Sequence, residues 1–269
     1  MILGVVGAGN MGGAIIRGYA KAAAEPVYFH EHFEEKARQI ERETGAIPTD
    51  SLADMVSCAD IILIALKPNM FDDFMPELAA ALKNNAGGAD KIVVSIAAGI
   101  SISYLEAALR TNAKILRAMP NTPAMVGAGM TALAASEAVT DDDFAAVKSV
   151  FESFGKAART GENLMDAVTG VSGSSPAYAY MYMQALAECG ARHGLDAGSA
   201  RLFAAQATLG AAEMVLANTD VSIEQLRVNV CSPGGTTIEA VHVLEDEGFI
   251  ETVGKAMDAA IAKSKTMTK

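Results

Sequence analysis

Short apolar runs alternate with amphipathic segments along the first part of the chain. Leu3–Val6, Val27–His30, Ile61–Leu66, Ile92–Ile96 and Ile115–Ala118 have strand length and are rich in β-branched residues; a further run lies at Met130–Leu133. Between them, Asn10–Ala23, Glu34–Thr44, Phe71–Leu82, Ser103–Leu109 and Asp141–Ser153 place apolar residues at helical spacing. Strand and helix alternating in this way predict a parallel sheet covered by helices on both faces. Right-handed crossovers make that sheet doubly wound, an α/β fold.

The pattern changes after about Glu162. No β-branched strand run follows, and Ala, Leu, Met and Gln dominate from Ala177 to Leu216. Ser175-Pro176 reads as a helix start, a hydroxyl followed by proline at the first helical position, and Gly194 as its end. Asp196 caps a second helix reaching about Asn218, and shorter helices are expected at Ser222–Val230, Thr236–Asp246 and Ile250–Ser264. The expected organisation is therefore an α/β domain over 1–161 and an all-helical domain over 162–269. The helical half has broad apolar faces, as at Ala204–Leu216, and too few residues to cover them all. It is expected to pair with a second copy as a homodimer.

Composition narrows the function. The net charge of −11 disfavours nucleic acid and anionic membranes as partners, because both require clustered Lys and Arg. No apolar run reaches the roughly 18 residues needed to cross a bilayer. The chain opens directly on a strand, so no signal peptide is expected and the expected location is cytoplasmic. Cys58, Cys189 and Cys231 are scattered and form no metal-ligand spacing, so no metal is expected. The histidines His30, His32, His193 and His242 form no cluster, and no Ser/His/Asp set is recognisable.

Gly7-Ala8-Gly9-Asn10-Met11-Gly12 matches the dinucleotide fingerprint, with a strand before it and a helix after it. In that Rossmann-like setting Gly7 permits the turn, Gly9 lets backbone approach a pyrophosphate, and Gly12 brings helix and strand together. The helix N-terminus supplies free N–H groups and a favourable dipole. Glu31 closes the second strand, where a carboxylate accepts hydrogen bonds from ribose hydroxyls and repels a 2′-phosphate. This leans towards NADH, although His30, His32 and Lys36 offset part of the repulsion, and a solvated strand end is the plainer alternative.

Near the other end, Cys231-Ser232-Pro233-Gly234-Gly235-Thr236-Thr237 interrupts apolar, helix-like sequence with glycines and hydroxyls. Such a turn exposes N–H groups that suit a small acid, while capping of the next helix would need only the hydroxyls. Sequence leaves both readings open.

Taken together, several blocks resemble the pyrroline-5-carboxylate reductase family. They are Gly7–Gly12; Ala65-Leu66-Lys67-Pro68; Ser95-Ile96-Ala97-Ala98-Gly99-Ile100; Met119-Pro120-Asn121-Thr122-Pro123; Gly173-Ser174-Ser175-Pro176-Ala177-Tyr178; and Ser232–Glu245. The resemblance spans essentially the whole chain. It implies reduction of 1-pyrroline-5-carboxylate to L-proline with NADPH or NADH, the last step of proline synthesis. It also implies a helical dimerisation domain, with dimers assembling into larger rings in many members. By position, it implies that Ala65, Leu66, Lys67, Pro68 and Asn69, with Ala97, Ala98 and Gly99, line the nicotinamide side of the cofactor. Asn229 matches a family asparagine near the cofactor. Thr237 matches the threonine set against the substrate's ring nitrogen and is the expected catalytic residue. Ser232 and the backbone around Gly234, Gly235 and Thr236 match the carboxylate site, and Glu162 an acidic position near the substrate. Glu31 departs from the family, where many relatives carry Ser or Asn, often with an Arg nearby.

Two rival readings remain at this stage. A 3-hydroxy-acid-type dehydrogenase would share the layout, but such relatives usually place a catalytic lysine on the first long helix of the second domain, and Tyr178–Ala191 contains none. A non-enzymatic NAD(P)-sensing protein would keep the fingerprint but has no reason to keep the hydroxyl-rich turn.

Overall fold

The computed structural model describes residues 1–85, 87–110, 113–267 and 269. Their contacts divide into two compact units, 1–174 with 260–269, and 175–259.

In the first unit, eight strands form one sheet in the order β3-β2-β1-β4-β5-β6-β7-β8 among the described residues. They are β1 (Leu3–Val6), β2 (Val27–His30), β3 (Ile47–Pro48), β4 (Ile61–Ile64), β5 (Ile92–Ser95), β6 (Lys114–Met119), β7 (Gly129–Ala135) and β8 (Gly155–Arg159). The helices between them are α1 (Asn10–Tyr19), α2 (Glu34–Thr44), α3 (Leu52–Cys58), α4 (Phe71–Asn84), α5 (Ile102–Leu109) and α6 (Asp141–Glu152). Along β4 the side chains divide between two apolar layers: Ile61 and Leu63 pack with Leu3, Val5, Ile15 and Phe29, while Ile62 and Ile64 pack with Val6, Val56 and Leu78. This two-sided burial is why β4 reads as a continuous apolar run and not as an alternation.

The sheet is not wholly parallel. β6 and β7 pair antiparallel, Leu116 opposite Ala135, and β7 pairs parallel with β8. β6 is joined to β7 by residues 120–128, a short link built around the 3₁₀ turn Thr122–Val126. Such a connection is too short for a helical crossover, so the chain must reverse direction.

Beyond β8 the chain stays on the first unit past the expected 161/162 boundary. It forms a 3₁₀ turn (Glu162–Leu164), α7 (Met165–Val168) and a π-helical turn (Thr169–Gly173). Met165 is buried in one of the sheet's apolar layers, and the Ser264 hydroxyl donates to Asp166 at 2.6 Å. Residues 162–174 thus fold against the sheet even where their sequence pattern is helical.

The second unit contains α8 (Ser175–Arg192), α9 (Ala197–Ala217), α10 (Ile223–Asn229), α11 (Thr236–Asp246) and the first part of α12 (Phe249–Met267). Asp196 caps α9 by accepting from the Ser199 N–H at 3.0 Å, and Ser222 caps α10 through Gln225 N–H at 3.0 Å. Among the hydrophobic residues described in this unit, only Ala200 and Ala204 are buried. Met181, Leu202, Phe203, Leu216 and Ile250 are all more than half exposed. The apolar faces seen in the sequence therefore stay open on a single chain.

Candidate active site

β1 delivers the chain into the turn at Gly7–Gly9, from which α1 starts. Gly7 adopts φ +84 and donates its N–H to His30 O at 2.9 Å. A Cβ on Gly12 would lie 2.0 Å from the Gly7 carbonyl oxygen, so the first turn of α1 sits directly on the loop. A Cβ on Gly9 would meet nothing within 4 Å, so that side of the turn is open. Gly9 is the N-cap of α1 and supplies no side-chain cap. The first-turn N–H groups of α1 are left for a ligand's oxygens. Close packing at Gly12, open space at Gly9 and an uncapped helix fit the pyrophosphate of a dinucleotide.

From this turn opens a cleft of about 550 Å³ at the C-terminal ends of β1, β4, β5 and β6. Its walls are Gly9–Met11, Ala65–Pro68, Ile96–Ala98, and Met119 with Pro120. The structure thus brings Asn10 and Met11 of the fingerprint together with Ala65, Leu66, Lys67, Pro68, Ala97 and Ala98 at the strand ends, where α/β sheets bind ligands. Asn69 falls outside, exposed on the 3₁₀ turn Pro68–Met70. Gly99 is also outside the lining; its carbonyl accepts the Lys269 N–H at 2.7 Å.

Met119 and Pro120 were quoted in a family block but given no role by sequence. Buried Asn121 holds them in place: its amide donates to Ser172 O at 3.0 Å, and its side-chain oxygen accepts the Met130 N–H at 2.9 Å. A polar side chain at the end of a strand was the available signal.

Glu31 is not a solvated strand end. Its carboxylate is only 8% exposed, and Oε2 accepts the Ala8 N–H at 2.9 Å and faces Lys36 Nζ at 3.3 Å. Oε1 accepts the Phe33 N–H at 3.2 Å. Burial works against the charge, but the bonds from Ala8, Phe33 and Lys36 outweigh it and hold the carboxyl below its ordinary value. A negative charge is therefore fixed beside the fingerprint turn.

Within the chain, Glu162 is engaged at the start of α5. Its Oε1 accepts the Ile102 N–H at 2.7 Å and faces Arg117 Nη1 at 3.4 Å. Ile102 opens α5, so this N–H has no acceptor within the helix. The carboxylate supplies one and anchors the end of the loop that carries Ala97 and Ala98.

Asn229 and the Ser232–Thr237 turn belong to the second unit. Asn229 ends α10 and accepts from Gln225 Nε2 at 2.9 Å. The turn closes through Gly235 N–H to Ser232 O at 3.0 Å, with Gly234 at φ +66. Gly235 is the N-cap of α11, and no side chain caps that helix. Thr236 and Thr237 lie in the first helical turn, exposed, and their hydroxyls bond to nothing among the described residues. Capping therefore does not account for these threonines. The turn presents free N–H groups and free hydroxyls at a helix N-terminus, a combination suited to a carboxylate.

No helix of the described residues is long and apolar enough to cross a membrane, and those residues contain no cluster able to hold a metal ion.

A fingerprint turn opening into a strand-end cleft defines a nicotinamide-dinucleotide oxidoreductase. Comparison with known proteins agrees. Residues 2–99 match the family model for NADP oxidoreductase, coenzyme F420-dependent, and residues 162–267 match that for pyrroline-5-carboxylate reductase dimerisation. The pyrroline-5-carboxylate reductase of Escherichia coli (strain K12) is 40% identical over 270 residues, spanning 99% of this chain and 98% of that protein. A solved pyrroline-5-carboxylate reductase from Coxiella burnetii superposes with a TM-score of 0.91 at 32% identity, covering 99% of this chain and 98% of that one. The Plasmodium falciparum enzyme, solved with NADP bound, gives 0.87 at 30% identity, covering 100% of this chain and 98% of that one. The chain belongs to the pyrroline-5-carboxylate reductase family.

Proposed function

We propose that this chain reduces 1-pyrroline-5-carboxylate to L-proline at the expense of NADPH or NADH. The observation that carries this reading is the turn opening α11, which combines an uncapped helix N-terminus with two unbonded threonine hydroxyls. A dinucleotide-binding protein without this substrate has no use for it. The rival lysine-dependent dehydrogenase is disfavoured because α8 contains no lysine.

The cofactor, when bound, supplies the hydride that reduces C5 of the cyclic imine and leaves as NAD(P)⁺. The protein does the rest by placement. The Gly9–Gly12 turn takes the pyrophosphate, and the Ala65–Pro68 and Ala97–Ala98 walls hold the nicotinamide end. Gly234, Gly235 and Thr236 offer N–H groups to the substrate carboxylate, with Ser232 beside them. Thr237 hydrogen-bonds the ring nitrogen while the imine becomes an amine. A threonine hydroxyl is too weak an acid to deliver the proton, so the ring nitrogen carries it before hydride arrives: the imine binds already protonated by solvent, or equilibrates with solvent through water at the site. Asn229 acts at the cofactor, and Glu162 through the loop it anchors.

Glu31 directs the choice of cofactor towards NADH, because a fixed carboxylate beside the turn pairs with ribose hydroxyls and repels a 2′-phosphate. The open faces of the helical unit pair as a homodimer, which assembles further into a ring, and the enzyme works in the cytoplasm.

The test is oxidation of NADH and NADPH, in parallel, with pyrroline-5-carboxylate as acceptor. Turnover is expected with both, and higher kcat/KM with NADH; no turnover with either would end the functional reading. Light scattering behind size exclusion should give a dimer or a multiple of it, and a monomer at micromolar concentration would refute the assembly.

A further inference from the structure

The two loops that line the cleft follow the neighbouring strands β4 and β5, whose ladder ends where Ile96 N–H donates to Ile64 O at 3.2 Å; beyond that bond no hydrogen bond joins the loops directly among the described residues. One is Ala65–Pro68, which continues through the 3₁₀ turn into Asp72 in the first turn of α4. The other is Ile96–Gly99, which leads to the Ser101 cap of α5. Lys269, just beyond the end of α12, lies against both. Lys269 N–H donates to Gly99 O at 2.7 Å, and Ser101 Oγ donates to Lys269 O at 2.6 Å. Lys269 Nζ reaches Asp72 Oδ2 at 2.5 Å, and the other Asp72 oxygen accepts from Tyr104 Oη at 2.6 Å.

Gly99 is shaped for this contact. At φ +77 a side chain would be strained, and a Cβ would lie 2.3 Å from the Met267 carbonyl oxygen. Glycine at this position is explained by the approach of Met267, with no cofactor contact required. Tyr104 stays a donor at any working pH, because burial and then its bond to Asp72 push the phenol up to about 12.

We propose that Lys269 is a positioning residue: by bonding Gly99 and Asp72 at once it ties together the loops on either side of the cleft and sets the gap into which the nicotinamide end fits. This rests on the assignment of that cleft to the nicotinamide. The ion pair is exposed, 40% at Lys269 and 63% at Asp72, so it adds little to global stability and should act through local geometry. Sub-ångström shifts in a reactant's placement have large kinetic effects.

The test uses the full-length protein with Lys269→Ala, Asp72→Asn and the double variant. Each single change is expected to raise KM for NAD(P)H by about three- to tenfold, with the melting temperature unchanged. The double variant should be no worse than either single one, and Lys269→Arg should restore KM to within about twofold, since it keeps the charge. Cofactor KM unchanged in both single variants, or effects that multiply in the double variant, would overturn the proposal. Direct titration of NAD(P)H without substrate separates the two levels of argument. Weakened binding in the variants, with no pyrroline-5-carboxylate turnover by wild type, sinks the substrate reading and leaves the positioning role standing. Unchanged binding in an active enzyme sinks the positioning role alone.

Discussion

The carboxylate of Glu31, at the end of one strand, accepts the N–H of Ala8, in the turn that ends its neighbour, at 2.9 Å. The acid thus belongs structurally to the fingerprint and is held there by Phe33 and Lys36 as well. Glu31→Ser removes a fixed charge from beside the fingerprint turn, where it is proposed to repel a 2′-phosphate. The ratio of kcat/KM for NADPH to that for NADH should rise by about tenfold or more, equal to about 1.4 kcal/mol. Glu31→Gln keeps the acceptor for Ala8 while removing the charge, so it should produce much of the same shift. A wild type that already strongly prefers NADPH contradicts this reading.

Gly12→Ala attacks the same turn from below. The added methyl meets the Gly7 carbonyl at 2.0 Å and Ala65 Cβ at 2.9 Å, both fixed by backbone. Helix and loop must separate, at a cost of about 1–3 kcal/mol. Denaturant titration should show that loss, and cofactor affinity should fall by at least about tenfold. Unchanged affinity would mean that the turn does not hold the pyrophosphate.

Thr237→Ala should separate function from stability. The hydroxyl makes no bond within the described chain, so its removal should change stability by no more than about 0.5 kcal/mol. Loss of the one hydrogen bond to the ring nitrogen should lower kcat/KM by about tenfold. A destabilised but fully active variant would reverse the assignment.

Asp143 carries a pH prediction. It forms a capping box with Thr140 at the start of α6 and pairs with Lys114 at 2.9 Å. Burial opposes its charge, but the bonds from Lys114 and Thr140 prevail and hold the carboxyl below its ordinary value. A folded pKa below the unfolded one gives stability that is present above the unfolded value of about 3.9 and lost as pH falls through the folded value. Asp143→Ala should therefore cost about 2 kcal/mol at neutral pH, with the gap to wild type closing as pH falls below the unfolded value and through the lower folded one. A gap that does not narrow would mean the charge is not what matters.

The central strands and long helices were legible because burial on both faces leaves continuous apolar runs, as at Ile61–Ile64. Elements at the margin were not. β8 has no β-branched residue and only one buried side chain, Ala157, so it leaves no apolar run. The helix at Leu52–Cys58 was missed although its signal was present: Ser51 caps it by accepting from Asp54 N–H and donates to the Asp54 carboxylate at 2.6 Å. The expected helix Asn10–Ala23 stops at Tyr19, where the alanines that follow leave the helix in a turn. The antiparallel β6–β7 pair was hidden because direction depends on the length of a connection and not on the strands.

The fingerprint was readable because turn, close approach and helix start fall on adjacent residues. The partners of Glu162 were not, since Ile102 and Arg117 become neighbours only through the sheet. The bond between Lys269 and Asp72 joins residues 197 apart in sequence and leaves no local pattern at all.

The exposed faces of the helical unit bear on how robust this protein is. A unit that buries so little of its own apolar surface owes its free energy of folding to whatever covers that surface. If a second copy covers it, folding and association become one equilibrium, and mass action links the melting midpoint to protein concentration. Dilution alone should then loosen the helices that carry Thr237, so activity in very dilute assays should decay with time while concentrated stocks keep theirs.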